Sequence, residues 1–189
     1  MSTSIIIAVV IAAVFAVMIV SLYNSLINKK NSVENAFAGI DVQLTKRYDL
    51  IPNLVSTVQK YMKHERETLT EITAMRARAV SGNLSDNEKV ALDNQISTAL
   101  SGIMIAVENY PDLKASQNFL QLQASLNEVE EQLSAARRAF NAMVTEYNNA
   151  VQMFPSNIMA SYMNLEERTW FEAPEVKKGD INVKELFDN

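Results

Sequence analysis

The run IIIAVVIAAVFAVMIV, residues 5–20, has no polar atom in any side chain, and Leu22, Tyr23, Leu26 and Ile27 carry its apolar character on to Lys29 and Lys30. About 23 residues at ~1.5 Å each give roughly 34 Å, which matches a hydrocarbon core of ~30 Å. Residues 5–27 are therefore expected to be a transmembrane anchor behind a tail of residues 1–4. A cleaved secretory signal has a basic start and small residues at a cleavage site. Here the start is Met-Ser-Thr-Ser and the flank is SLYNSLINKK, so the expectation is an anchor that stays. Lys29, Lys30, Lys46 and Arg47 all follow the span and none precedes it, which favours a cytoplasmic side for the following domain over the alternative, a periplasmic or extracellular one.

Beyond the anchor the apolar positions keep helical spacing. Phe37, Leu44, Ile51, Val58, Ile72 and Ala79 fall on one seven-residue register, with Ile40, Leu54, Tyr61 and Met75 three residues along. With only 4 Gly and 4 Pro, the chain has few places to turn, and an all-α fold follows. The spacing predicts helices over about 31–80, 86–109, 113–153 and 156–164, which makes 28–165 the bundle and 166–189 a polar tail. Ser81-Gly82-Asn83 ends the first helix, Ser85-x-x-Glu88 caps the second, and Pro111 stops it. The third carries Phe119, Leu126, Leu133, Phe140, Tyr147 and Phe154 on one register and Leu122, Val129, Ala136, Met143 and Ala150 on the other. Such a stripe is core in bundles and coiled coils alike.

The residue inventory closes several chemistries. There is no cysteine, and His64 is the single histidine. In HERET the second histidine of a zinc-protease helix is replaced by Thr68. Glu128, Glu130, Glu131 and Glu146 lack the Glu-x-x-His pairs that a carboxylate metal site in a bundle requires. Neither a Gly-rich phosphate loop nor a nucleophile elbow occurs. No catalytic, metal or cofactor set is therefore assigned, and the chain is read as a non-enzyme. Residues 1–80 carry nine Lys/Arg against six Asp/Glu, and residues 81–189 carry eight against sixteen, within a net charge of −5. That balance argues against nucleic acid as a partner.

Against this background KRYDLIPNLV, residues 46–55, is unusual. Read with Ile40-Asp41-Val42-Gln43-Leu44, His64-Glu65, ENYPDLKA, Ala136-Arg137-Arg138, Tyr147-Asn148, Phe154-Pro155-Ser156-Asn157 and Phe171-Glu172-Ala173, it resembles the LemA family over nearly the whole chain. The chain departs from the family pattern at residues 162–168, YMNLEER. The resemblance implies a bacterial, single-pass inner-membrane protein whose soluble part is an elongated up-and-down antiparallel four-helix bundle, with no enzymatic activity established. A family member associated with magnetosome membranes implies membrane organisation, and members encoded near membrane proteases imply an adaptor role.

The residues themselves suggest a structural junction. Pro52 frees the carbonyl of Tyr48, and Arg47 lies on a core register where an unpaired charge is costly. If the first helix turns back at residues 81–85, the turn Tyr110-Pro111-Asp112 comes level with residues 54–56, within about two turns of the segment holding Tyr48, Asp49, Pro52 and Asn53. Arg47 is then expected to pair with Asp112 or Glu108; an anion or peptide site on Arg47, Tyr48 and Asn53 is the alternative. On the same geometry nothing in the chain covers Phe37, Ile40 and Leu44 near the membrane, and the fourth helix covers only part of Phe140, Tyr147 and Phe154 at the far end. They are expected to form homo-oligomer interfaces. The expected partners are the lipid bilayer, copies of the same chain and a membrane protein.

Overall fold

In the computed structural model, which describes residues 2–82 and 84–171, the elements are α1 (Thr3–Val58), a 3-10 turn (Lys63–Glu65), α2 (Arg66–Ala79), α3 (Asp86–Val107), α4 (Pro111–Lys114), α5 (Gln117–Gln152) and α6 (Ser156–Tyr162). Every regular element among the described residues is helical, with no strand. Of the tail expected at 166–189, residues 172–189 lie outside the described part.

Anchor and bundle share one helix. α1 runs unbroken for 56 residues, roughly 84 Å at ~1.5 Å per residue. Its first turns are exposed apolar side chains, and the first buried residue is Leu26. Apolar throughout residues 5–20 and uncovered among the described residues, this segment is a candidate membrane span. The helix also continues through Pro52. The carbonyl of Tyr48, deprived of its intrahelical donor by the proline, accepts instead from Nε of Arg76 at 3.0 Å.

The expected single helix over 31–80 is two. The chain leaves α1 after Val58, and Met62 adopts φ −98° and ψ 67° with its side chain buried. No glycine or proline marks this turn; it is set by burying Val58, Met62 and Leu69 together. The seven-residue register itself carries the sign, because position 65 holds a glutamate between Val58 and Ile72. The second turn follows expectation: Gly82 has φ +78°, a conformation that favours glycine. Ser85 and Glu88 form the reciprocal capping box at the start of α3.

Because the first reversal comes near residue 62, every later helix changes direction relative to expectation. α1 leads away from the anchor, α2 returns, α3 leads away and α5 returns over the full length of the bundle. Lys29 meets Glu146, Phe37 meets Phe140, Arg47 meets Glu130 and Lys46 meets Gln132. Residue n of α1 thus stands opposite about 177 − n of α5, and this pair forms the largest helix contact of the fold. α3 runs parallel to α1 across the bundle, with Lys89 reaching Asp41 at 2.7 Å.

This topology corrects the interface expectation. Phe37, Ile40, Leu44, Phe140 and Tyr147 are all buried in one core, since α5 returns along the stripe that was expected to stay bare. Phe37 and Phe140 pack edge to face with centroids 5.6 Å apart, and Nζ of Lys89 sits 5.7 Å from the Phe37 ring. Of the six residues only Phe154 is exposed.

Candidate functional site

The most unusual chemistry in the bundle is a charge network at its centre. Nη1 of Arg47 donates to Oδ1 of Asp93 at 2.9 Å and to Oγ of Ser97 at 2.8 Å. Nη2 of Arg47 lies 3.1 Å from Glu130, and Arg137 bonds the other oxygen of Asp93 and lies 3.8 Å from Glu130. Two cations and two anions from α1, α3 and α5 therefore neutralise one another. Asp93 is wholly buried. Burial pushes its carboxyl above the usual range, against the downward pull of Arg47 and Arg137. Burial, reinforced by the charge of Asp93, also holds the Tyr48 phenol well above its ordinary value.

The expectation that Arg47 must be paired is met, but by different acids. Asp112 and Glu108 lie near the far end of the bundle, where Glu108 pairs with Lys114, Pro111 opens α4 and Tyr110 is half-buried. The turn at residues 108–112 is about ten residues further along α1 than Pro52, because α3 runs parallel to α1 rather than antiparallel. What docks on KRYDLIP is α2: Arg76 holds the Tyr48 carbonyl and lies 3.9 Å from Asp49. Asn53 is exposed, and its carbonyl accepts from Ser56 and Thr57. Glu130 and Arg137, two of the true partners, stand at ordinary polar positions of α5 and give no local signal. Only Asp93, on the apolar face of α3 between Leu92 and Ile96, was open to notice.

A second feature ties the end of the described chain to α5. Residues 165–171 run back along the bundle as an extended strap. The Asn148 amide donates to the carbonyl of Arg168 and accepts from its N–H, both at 2.9 Å. Asn141 does the same for Phe171 at 3.0 and 2.8 Å. Seven helical residues at ~1.5 Å and three extended residues at ~3.3 Å each cover about 10 Å, so the spacings match. Tyr147 adds a bond from its hydroxyl to the Glu166 carbonyl at 3.0 Å, and its burial raises its pKa. Phe171 is buried under the Arg137 guanidinium, 4.7 Å from its ring centroid, which joins strap and charge network.

At the membrane end, Lys29 and Glu146 meet at 3.2 Å, and α6 packs on both α1 and α5. Val17, Ser21, Asn24 and Asn28 line an open groove of about 690 Å³ on α1. A second groove of about 760 Å³ at the far end runs between α1 and α2 past Val55, Gln59, Met62, Lys63 and Arg66. Among the described residues no group of histidines and carboxylates is arranged to hold a metal ion.

An exposed apolar N-terminal helix continuous with an antiparallel four-helix bundle defines a class: helical-bundle proteins that carry an N-terminal helix long and apolar enough to cross a membrane. Within that class the profile of the LemA family matches residues 36–184, and the chain belongs to this family. It is 28% identical over 163 residues to Protein LemA of Metamycoplasma hominis, covering 86% of this chain and 74% of the relative. It is also similar to magnetosome protein MamQ 2 of Paramagnetospirillum magneticum and to magnetosome protein MamQ of Magnetospirillum gryphiswaldense. Each is 19% identical over 190 residues, with 87% of this chain and 70% of the relative covered.

Proposed function

We propose that this protein is a non-enzymatic, membrane-anchored helical rod that associates laterally and organises the bacterial cytoplasmic membrane, with its bundle on the cytoplasmic side. The observation that carries this reading is the face of α1 at the edge of the bundle. Ser21, Asn24 and Asn28 are exposed there, just where the helix enters the apolar segment. Amides at that depth gain most from partners on a neighbouring helix. The buried charges of the bundle are spent on one another, which supports a structural role over a catalytic one. Relatives named as magnetosome proteins agree with work at a membrane.

The chain has no cysteine, so Asn24→Cys and Asn28→Cys introduce single thiols. Oxidation of native membranes should give covalent dimers from these variants and none from Val42→Cys or Ile105→Cys, both exposed elsewhere on the bundle. Equal yields at all four positions, or none at any, would defeat lateral association through this face. An adaptor for a membrane protease or envelope complex is the second reading, favoured by the apolar and basic groove past Met62, Lys63 and Arg66. Stoichiometric co-purification of another membrane protein, lost on Arg66→Glu, would establish it.

A further inference from the structure

The lower end of the bundle carries a second apolar surface that the anchor does not account for. α5 descends beside α1, and Lys29–Glu146 is its last ion pair. Six more residues, ~9 Å at ~1.5 Å each, bring Gln152 level with about residues 23–25, within the stretch 5–27 that is long enough to span. The chain then turns through Met153 and Phe154 into α6. Phe154 is 81% exposed and Tyr162 85%, and Met153 and Ile158 are more than half exposed. Ala160 alone of α6 is buried.

Charge follows the same level. Residues 147–165 contain no Asp, Glu, Lys or Arg, nineteen residues in a chain that is 21% charged, and no charged side chain precedes Lys29 on α1. Charges resume at Glu166, Glu167 and Arg168, where the strap climbs back and Arg168 approaches Glu34 at 3.9 Å. The opposite end of the bundle has the reverse character, its turn carrying Lys60, Lys63, His64, Glu65 and Arg66. A neutral segment of exposed aromatic and aliphatic side chains mixed with Ser and Asn suits the headgroup and acyl boundary, where Tyr and amphipathic helices settle.

We propose that residues 153–162 form a second membrane contact, a wedge that enters the boundary of the leaflet facing the bundle, with Phe154 and Ile158 below the headgroups and Tyr162 among them. Two contacts hold the rod at a fixed angle to the bilayer, and only one leaflet receives the added volume. The proposal does not depend on lateral association.

Its test uses the full-length protein in vesicles of phosphatidylethanolamine and phosphatidylglycerol, spin-labelled at single thiols from Phe154→Cys, Ile158→Cys and Tyr162→Cys. Ile105→Cys and Leu120→Cys serve as references at exposed sites far from the anchor. Collision with oxygen should exceed collision with a water-soluble nickel chelate at 154 and 158, as at Val20→Cys, while 105 and 120 show the opposite order. Water-like behaviour at 154 and 158 would overturn the wedge. So would low access to both probes with dipolar broadening that disappears on dilution by unlabelled protein, since that pattern means a second copy covers the surface. All the labelled positions are exposed, and an unchanged circular dichroism spectrum verifies the fold.

Discussion

Arg47 and Asp93 lie 46 residues apart in sequence, yet their side chains meet at 2.9 Å in the middle of the bundle. The contact joins α1 to the diagonal helix α3, so it reports on the whole topology. Asp93→Ala leaves Arg47 and Arg137 facing each other with only the half-exposed Glu130 between them. Losing one partner of a buried pair costs about 3–5 kcal/mol. Thermal or urea unfolding in detergent should show a loss of that size. Arg47→Met combined with Asp93→Leu, which removes both charges, should cost less than either single truncation.

Phe140 tests whether the stripe is core or interface. Its ring packs on Phe37 at 5.6 Å and is buried. Phe140→Ala is expected to lower stability by about 3–5 kcal/mol without changing the oligomeric state in lipid. Phe154→Ala, at a surface position, should stay within about 0.5 kcal/mol. A small stability loss for Phe140→Ala together with a changed oligomeric state would mean that the helices are arranged as the sequence spacing alone suggested.

That comparison shows what was legible. Anchor, helical class, capping box and the need to pair Arg47 all follow from local properties: a charge-free run, a Ser-x-x-Glu motif, a cation on an apolar register. The reversal near Met62 was hidden because no helix-breaking residue stands there, and tertiary burial of Met62 outweighs local propensity. One missed turn then flipped the direction of α5. It exchanged the partners of Arg47 and turned an expected bare stripe into the core. The register break at Glu65 was the available sign.

Tyr48 provides a pH signature. Burial, helped by Asp93, raises its phenol above the ordinary value near 10, so the folded state favours the protonated form. Its contribution to stability is complete below about pH 10 and is lost as pH rises from there through the folded pKa, by at most about 1.4 kcal/mol per pH unit for one proton. Tyr48→Phe should therefore unfold less steeply with alkali than the parent protein, while the two coincide in slope at neutral pH. Parallel curves above pH 10 would rule the effect out.

The strap is held by two asparagines that act as surrogate peptide units, each giving and accepting one bond with the backbone of Arg168 or Phe171. Asn148 is buried, so Asn148→Asp removes a donor and sets a carboxylate against the Arg168 carbonyl, while Asn148→Ala removes both bonds. Each net hydrogen bond is worth about 1 kcal/mol, more when a buried group loses its partner. The local stability of residues 165–171 should fall by roughly 2–3 kcal/mol, with little change in the helices beneath. Trp170 offers the readout, being the single tryptophan and bonded through Nε1 to Thr145 at 3.1 Å. Release of the strap should shift its emission to the red and raise acrylamide quenching in Asn148→Ala and Asn141→Ala alike. Because Phe171 also stacks under Arg137, Asn141→Ala should loosen the charge network as well, and its effect with Asp93→Ala should be less than additive. Additive losses would separate strap from network and leave Phe171 a cover for the Phe37 end of the core alone.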